Sequence, residues 1–176
     1  MGMDLHFLKA GEIFVTNQCE TIKSVVTFGV LVSFFDPTKN LGGVAHFLYP
    51  YRKSEEHNNS LYAAPSLYKL ISEFESYGCD KSKVEVQLFG GAHPLGAESK
   101  YEEVCKNNVR VAEEILAMRN YSIYGRDLYG HRGRKVVFHT ETGESVVAKV
   151  NEVRHVDWVM TGGVPLEREE ISTAES

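Results

Sequence analysis

Two apolar runs joined by a turn constrain the fold of this chain more than any other feature. Residues 22–35 are rich in valine, phenylalanine and isoleucine and contain no proline, a composition typical of buried strands. Asp36 and Pro37 then start a turn, because proline presets φ and aspartate binds its own backbone locally. A second strand is predicted over Val44–Leu48. The sequence therefore predicts two buried strands joined by a turn, with one histidine, His46, on the second strand.

Strand and helix patterns alternate along the rest of the chain. Apolar residues recur at helical spacing over 63–77 and 102–118, and Gly78 is a suitable stop after the first helix. Further strands are predicted over 11–17, 84–89 and 121–127, and the segments 134–140 and 145–149 have the pattern of a hairpin. This order of strands, helix, strand, helix and strands indicates an α+β or layered α/β domain.

Length and composition indicate a single domain with a polar tail. A chain of 176 residues has the size of one domain, and we assign residues 1–161 to it. The segment 162–176 is acidic and rich in small residues, so we expect it to be disordered. The segment 51–59 is polar and carries both charge signs, which predicts an exposed loop.

Charge and cysteine usage narrow the function classes. A net charge of −5 gives no electrostatic reason to expect a nucleic-acid partner. The sequence has no apolar run of about 18 residues and no basic, apolar leader, so we expect a cytoplasmic protein without membrane insertion. Its three cysteines include no Cys-x-x-Cys pair, which argues against a disulfide framework or a zinc site.

Four motifs together carry a resemblance to a known family. They are the strand-turn-strand segment 24–50, Gly90-Gly91-Ala92, Asn107-Asn108-Val109 and the segment 127–138, which begins Asp-Leu-Tyr-Gly-His-Arg-Gly-Arg. Over residues 10–150 the chain resembles the CheD family, the chemoreceptor glutamine deamidases. The resemblance implies packed β-sheets with two or three helices on the outside.

The position of the family's nucleophile is the main departure. In the family, a Thr-x-x-Gly-Ser-Cys-like run supplies the nucleophile a few residues before an Asp-Pro turn. Counting back from Asp36 without gaps places the cysteine at Gly29, the upstream hydroxyl at Ser24 and the histidine at His46. Attack on a glutamine amide needs a thiolate activated by a nearby histidine, and glycine has no side chain for this. The resemblance therefore implies a vestigial site in which Ser24 and His46 remain without a nucleophile.

Other interpretations of these residues stay open. Cys19 could act as a relocated nucleophile, although the neighbouring carboxylate would disfavour its thiolate. His46 could equally be a core histidine with a satisfied hydrogen bond, and Ser24 an ordinary strand hydroxyl. A metal could be bound by His46, His93 and His131, but no metal-ligand spacing is present, so we predict neither a metal nor a cofactor.

Loss of the nucleophile with retention of the surrounding loops favours a binding function. The resemblance implies two protein partners, the cytoplasmic region of a chemoreceptor and a CheC-type phosphatase. Because binding groups concentrate on loops, we predict partner contacts at Phe28, Gly90, Gly91, Asp127 and Arg134. We therefore predict a non-catalytic CheD-like chemotaxis protein. The alternative is an active protein-glutamine amidohydrolase that uses Cys19, so whether the chain is an enzyme stays open at this point.

Overall fold

Nine strands and two α-helices make up the described part of the chain. The computed structural model describes residues 4–52 and 59–151, so the predicted tail 162–176 and most of the predicted loop 51–59 lie outside it. The strands are β1 (Asp4–Phe7), β2 (Ile13–Thr16), β3 (Glu20–Val26), β4 (Val30–Asp36), β5 (Leu41–Phe47), β6 (Glu85–Gly90), β7 (Ile123–Leu128), β8 (Gly133–His139) and β9 (Ser145–Val150). The helices are α1 (Ala63–Ser76) and α2 (Lys100–Met118), and a 3-10 turn spans Lys81–Lys83.

The strands form two sheets. The four-stranded sheet has the order β1-β3-β8-β9, and the five-stranded sheet has the order β2-β5-β4-β6-β7. Neighbouring strands are antiparallel except for the pairs β1–β3 and β6–β7, which are parallel. Two helices accompany these two mixed sheets, which confirms the predicted α+β layered fold.

Strands β4 and β5 lie at the centre of the molecule, and every one of their residues is buried. On one face of the five-stranded sheet, Phe34 and Phe47 pack in a cluster with Phe74 of α1 and residues of α2. On the other face, Leu31 and Val44 pack in a second cluster with residues of the four-stranded sheet. The molecule therefore has three layers, helices, five-stranded sheet and four-stranded sheet. Residues at even positions of β5, including His46, face the space between the sheets.

Both helices form where the sequence predicts them. The apolar stripe of α1 is buried through Leu67, Leu70, Ile71 and Phe74, and the helix ends before Gly78, whose φ of +71° suits glycine. Helix α2 begins two residues before its predicted start, with two acidic residues in its first turn that complement the helix dipole. Neither helix in the described ranges has the length and hydropathy needed to cross a membrane.

Strand β1 is the element that the sequence pattern does not predict. Its four residues alternate in type over too short a stretch to distinguish a strand from a loop. It forms because β3 offers a free edge, with which it pairs from Asp4↔Glu20 to Phe7↔Lys23. The predicted hairpin is confirmed as β8 and β9, which pair from Gly133↔Val150 to Phe138↔Ser145.

Close approach of the two sheets requires a glycine in β5. A Cβ atom on Gly42 would lie 2.8 Å from the Cα atom of Thr140, which follows β8. We therefore expect Gly42→Ala to lower the free energy of unfolding by about 1–3 kcal/mol, measured by urea denaturation. Gly125→Ala in β7 is the matched control, because its Cβ would meet Gln87 at an ordinary 3.5 Å. Equal urea midpoints for Gly42→Ala and Gly125→Ala would contradict the conclusion that the close approach of the sheets requires glycine at position 42.

Candidate functional site

The predicted histidine and hydroxyl residue meet between the two sheets. His46 on β5 is 2% exposed, and its Nδ1 lies 3.3 Å from the Oγ of Ser24 on β3. The single hydroxyl proton of Ser24 is donated to the carbonyl oxygen of Leu8 at 2.9 Å. Ser24 can then only accept from the imidazole, so Nδ1 carries the ring proton. The lone pair is thereby placed on Nε2, which is buried and has no hydrogen-bond partner among the residues that the structure describes.

The environment of His46 keeps its ring neutral. Burial lowers the pKa of His46 to about 4, from an ordinary value of 6.5. Near neutral pH the ring therefore carries a free lone pair on Nε2 and no charge. A neutral imidazole oriented through its other nitrogen is the form in which histidine accepts a proton from a nucleophile. The pair thus has the chemistry of a general base with its orienting group.

Gly29 is the position predicted for the nucleophile, and in this structure its surroundings exclude a side chain. It follows β3 and precedes β4, next to the end of β5. A Cβ atom built on it would lie 2.4 Å from the carbonyl oxygen of Phe47 and 3.0 Å from a methyl carbon of Leu48. The space that the side chain of a cysteine would enter is therefore occupied by the Phe47 carbonyl group and the Leu48 side chain.

Three loop segments border this position, and we call residues 27–29, 90–93 and 129–131 the site rim. Backbone hydrogen bonds of 2.8–2.9 Å join them, from Gly91 to Gly29, Ala92 to Thr27, Tyr129 to Gly90 and His93 to Gly130. A Cβ atom on Gly90 would lie 2.2 Å from the carbonyl oxygen of Gly29, so this crossing also requires a glycine. The rim is therefore a rigid, cross-linked unit.

Asn108 holds the rim to the end of β5 from the side of α2. Its Nδ2 donates to the carbonyl oxygens of Phe28 at 3.0 Å and Leu48 at 2.8 Å, and the residue is fully buried. The sequence motif draws attention to Asn108 but does not assign it this positioning role. The signal that could have identified it is a lone amide on the apolar face of a predicted helix, because such a group needs buried partners.

Arg134 is buried, and its contacts are internal. The side chain is 2% exposed and donates to the carbonyl oxygens of Arg132 at 2.8 Å and Tyr129 at 2.7 Å, and to the carboxylate of Asp127 at 3.0 Å. Burial favours the neutral carboxyl of Asp127, but the hydrogen bond and charge of Arg134 outweigh it and hold the pKa of Asp127 below its ordinary value.

Burial changes what the predicted partner-binding residues can do. Gly90, Gly91 and Arg134 are buried, so direct contact with a partner through them would require a change of conformation. Partner contact through these three residues stays a prediction, and in this structure they shape the rim. Phe28 and Asp127 are partly exposed and remain able to touch another molecule.

None of the three cysteines hydrogen-bonds to His46. Cys19 is exposed and donates to Glu141 Oε2 at 3.0 Å, a bond that raises the pKa of its thiol. Burial raises the pKa of Cys79 to about 12 and that of Cys105 to about 11. The structure therefore does not bring the predicted alternative nucleophile, Cys19, to the histidine.

Of the three histidines considered for a metal, His46 lies apart from the other two. His131 donates from Nδ1 to the carbonyl oxygen of His93 at 2.9 Å, whereas His46 is enclosed between the sheets. Over residues 4–52 and 59–151, no three His, Cys, Asp or Glu side chains are grouped so that they could hold a metal ion.

The low pKa of His46 predicts a pH-dependent stability. Between pH 6.5 and about 4 the unfolded chain binds a proton at this residue that the folded chain does not, so stability is full above 6.5 and falls as the pH decreases. This pKa shift contributes about 3 kcal/mol to the free energy of unfolding above pH 6.5. We expect the fall in stability between pH 7.5 and 4.5, measured by urea denaturation, to be smaller by that contribution in His46→Gln. The exposed His131→Gln is the control, and an unchanged pH dependence in His46→Gln would contradict the assignment.

The contacts of Arg134 predict a large effect of its removal. Arg134→Met would leave two carbonyl oxygens without this donor and Asp127 with its longer, 3.4 Å ion pair to Lys149, so we expect a loss of about 2–4 kcal/mol in the free energy of unfolding. Arg132→Met, at an exposed position two residues earlier, should change it by less than about 0.5 kcal/mol. Similar losses in both variants would show that the cluster around Arg134 does not hold the loop.

Comparison with known proteins agrees with this architecture. The sequence model of the CheD family, described as CheD chemotactic sensory transduction, matches residues 49–149. A probable chemoreceptor glutamine deamidase CheD from Oleidesulfovibrio alaskensis is 34% identical over 160 residues, which cover 85% of this chain and 74% of the relative. A second such protein, from Geobacter sulfurreducens, is 30% identical over 145 residues, 82% of this chain and 89% of the relative. One from Methanococcus maripaludis is 29% identical over 150 residues, 85% and 97% of the two chains. The chain therefore belongs to the CheD family.

Proposed function

We propose that this chain is a non-catalytic member of the CheD family that acts by binding protein partners in chemotaxis. The observation that carries the proposal is the packing of Gly29. At the position expected for the nucleophile, even a Cβ atom would lie 2.4 Å from the carbonyl oxygen of Phe47. The position lacks a thiol, and its surroundings also lack the space for one.

The remaining groups support an interpretation as a vestigial site. Deamidation of glutamine needs a thiolate to attack the amide carbon and a base to take the thiol proton. His46 has the form of such a base, and Ser24 orients it through Nδ1. The unpartnered Nε2 of His46 is the atom that would accept the proton, and no described thiol is bonded to it. The pair is what remains of the chemistry when the nucleophile is removed.

The alternative, catalysis through Cys19, has less support. The thiol is bonded to Glu141, on the turn between β8 and β9, and its raised pKa disfavours the reactive thiolate. To reach His46 it would have to leave that turn and enter the space between the sheets, which apolar residues of both sheets fill.

Binding is supported by the rim and by the relatives. The relatives are named as probable chemoreceptor glutamine deamidases, so a chemoreceptor is the first partner that we propose for this chain. A CheC-type phosphatase is the second. We place the contact at the exposed part of the rim, including Phe28 and Asp127, with Gly90, Gly91 and Arg134 holding its shape. Both partners would be met in the cytoplasm, where the receptor's signalling region lies.

The central test combines activity and binding in one preparation. The purified chain is incubated with a receptor cytoplasmic fragment, and intact mass and ammonia release are measured beside a CheD relative that retains its cysteine. We expect no conversion of glutamine to glutamate, together with calorimetric binding to the receptor fragment or to a CheC-type phosphatase. Conversion of glutamine to glutamate by the parent chain that is lost in Cys19→Ser would establish catalysis through Cys19. Absence of both conversion and binding would remove the proposed function.

Restoring the cysteine alone should not restore activity. Gly29→Cys would force the rim away from Phe47 and strain the bond between Gly91 and the Gly29 carbonyl, so we expect no deamidation and a loss of about 1–3 kcal/mol in stability. Activity is measured as ammonia release, and stability by urea denaturation. Gly125→Cys in β7, where a Cβ has room, is the control for an added thiol and should unfold near the parent midpoint. Robust ammonia release by Gly29→Cys would show that the pocket is intact.

A further inference from the structure

Tyr129 has a backbone conformation that its residue type disfavours. Its φ is +64°, and the other non-glycine residues with positive φ in the described ranges are Asn40 and Asn120. Asparagine tolerates this left-handed region, whereas a bulky aromatic residue there is strained. Gly130 follows with φ of +76°, so Tyr129 occupies the less favourable half of a turn that could be built from asparagine or glycine.

The backbone contacts of Tyr129 explain its conformation and leave its side chain unexplained. Its N–H donates to the carbonyl oxygen of Gly90 at 2.9 Å, and its own carbonyl oxygen accepts from Arg134 at 2.7 Å. These two bonds hold the turn in place from both sides. Glycine or asparagine at this position would make the same two bonds without the strain, so the hydrogen bonds of the turn do not require an aromatic ring.

The ring is partly covered, since burial raises the pKa of its phenol, and partly open to solvent. Tyr129 is 46% exposed, and Leu95, on the loop that follows the 90–93 segment, is 81% exposed. The two loops are joined by bonds from His93 N to the Gly130 carbonyl and from His131 Nδ1 to the His93 carbonyl. One exposed apolar side chain, Tyr129, therefore lies on the cross-linked site rim, and a second, Leu95, lies two residues beyond its 90–93 segment.

We propose that Tyr129 is the aromatic anchor through which the rim binds the apolar surface of a chemoreceptor helix, with Leu95 as an accessory contact. The inference rests on the proposed function and names the residue that would determine recognition. Strained residues persist where the surrounding structure holds them for a function, and tyrosine presents a large contact area with little conformational freedom to lose. The strain is then the consequence of keeping a recognition side chain on a turn that would otherwise favour glycine.

Three substitutions at position 129 separate recognition from folding. Tyr129→Gly and Tyr129→Ala both remove the ring, but only glycine relieves the strain, so we expect Tyr129→Gly to melt about 2–4 °C above Tyr129→Ala. Both should weaken binding of the receptor cytoplasmic fragment by about 10- to 100-fold in calorimetry. Tyr129→Phe keeps the ring and should retain affinity within about threefold. Tyr124→Ala, at a 73% exposed position on β7, is the control and should bind as the parent does.

The outcomes distinguish failure of this inference from failure of the proposed function. If the parent chain binds neither the receptor fragment nor a CheC-type phosphatase, the proposed function fails. If the parent binds the receptor fragment and Tyr129→Gly binds it equally well in a folded state, Tyr129 is not the anchor and this inference is overturned. If the parent and Tyr129→Gly differ only in binding the phosphatase, the assignment of the rim to a receptor helix is overturned.

Discussion

The need to cover strands β4 and β5 on both faces governs the rest of the molecule. Every residue of both strands is buried, so one face must be closed by helices and the other by a second sheet. The four-stranded sheet can approach closely because Gly42 leaves room for the backbone at Thr140. The same inter-sheet space receives His46 and Ser24, so the candidate site is part of the core that closes the fold.

Placing an imidazole in that core has an electrostatic consequence and a chemical one. Burial lowers the pKa of His46 to about 4, which keeps the ring uncharged, and the bond to Ser24 leaves Nε2 as a bare acceptor. Because Gly29 has no Cβ atom, the rim packs closely against Phe47 and Leu48 at the end of β5. The position predicted for the nucleophile is thus closed by the residues that follow His46, and Gly29→Cys alone would not open it.

The rim is stabilised from beneath by buried polar side chains. Asn108 binds the Phe28 and Leu48 carbonyl oxygens, and Arg134 binds Asp127 and the carbonyl oxygens of the turn that carries Tyr129. Such groups are favourable only when their hydrogen bonds are made, so they hold loops in one arrangement. A rigid rim that carries the exposed Tyr129, with Leu95 on the adjoining loop, suits recognition, because little conformational entropy remains to be lost on binding.

The sequence by itself predicted most of the secondary-structure elements and the residues of the candidate site. The periodicity of apolar residues predicted α1, α2 and the hairpin of β8 and β9, because it depends only on residues that are close in sequence. The spacing from Asp36 drew attention to Gly29, Ser24 and His46 as candidate site residues. Only the tertiary structure decided that β1 pairs with β3, that Arg134 points inward, and that Tyr129 is strained and exposed. These features depend on contacts between segments that are distant in sequence, such as the free edge of β3 beside β1 or the Gly90 carbonyl oxygen that binds the backbone of Tyr129. Those contacts exist only once the two sheets and the helices have packed together.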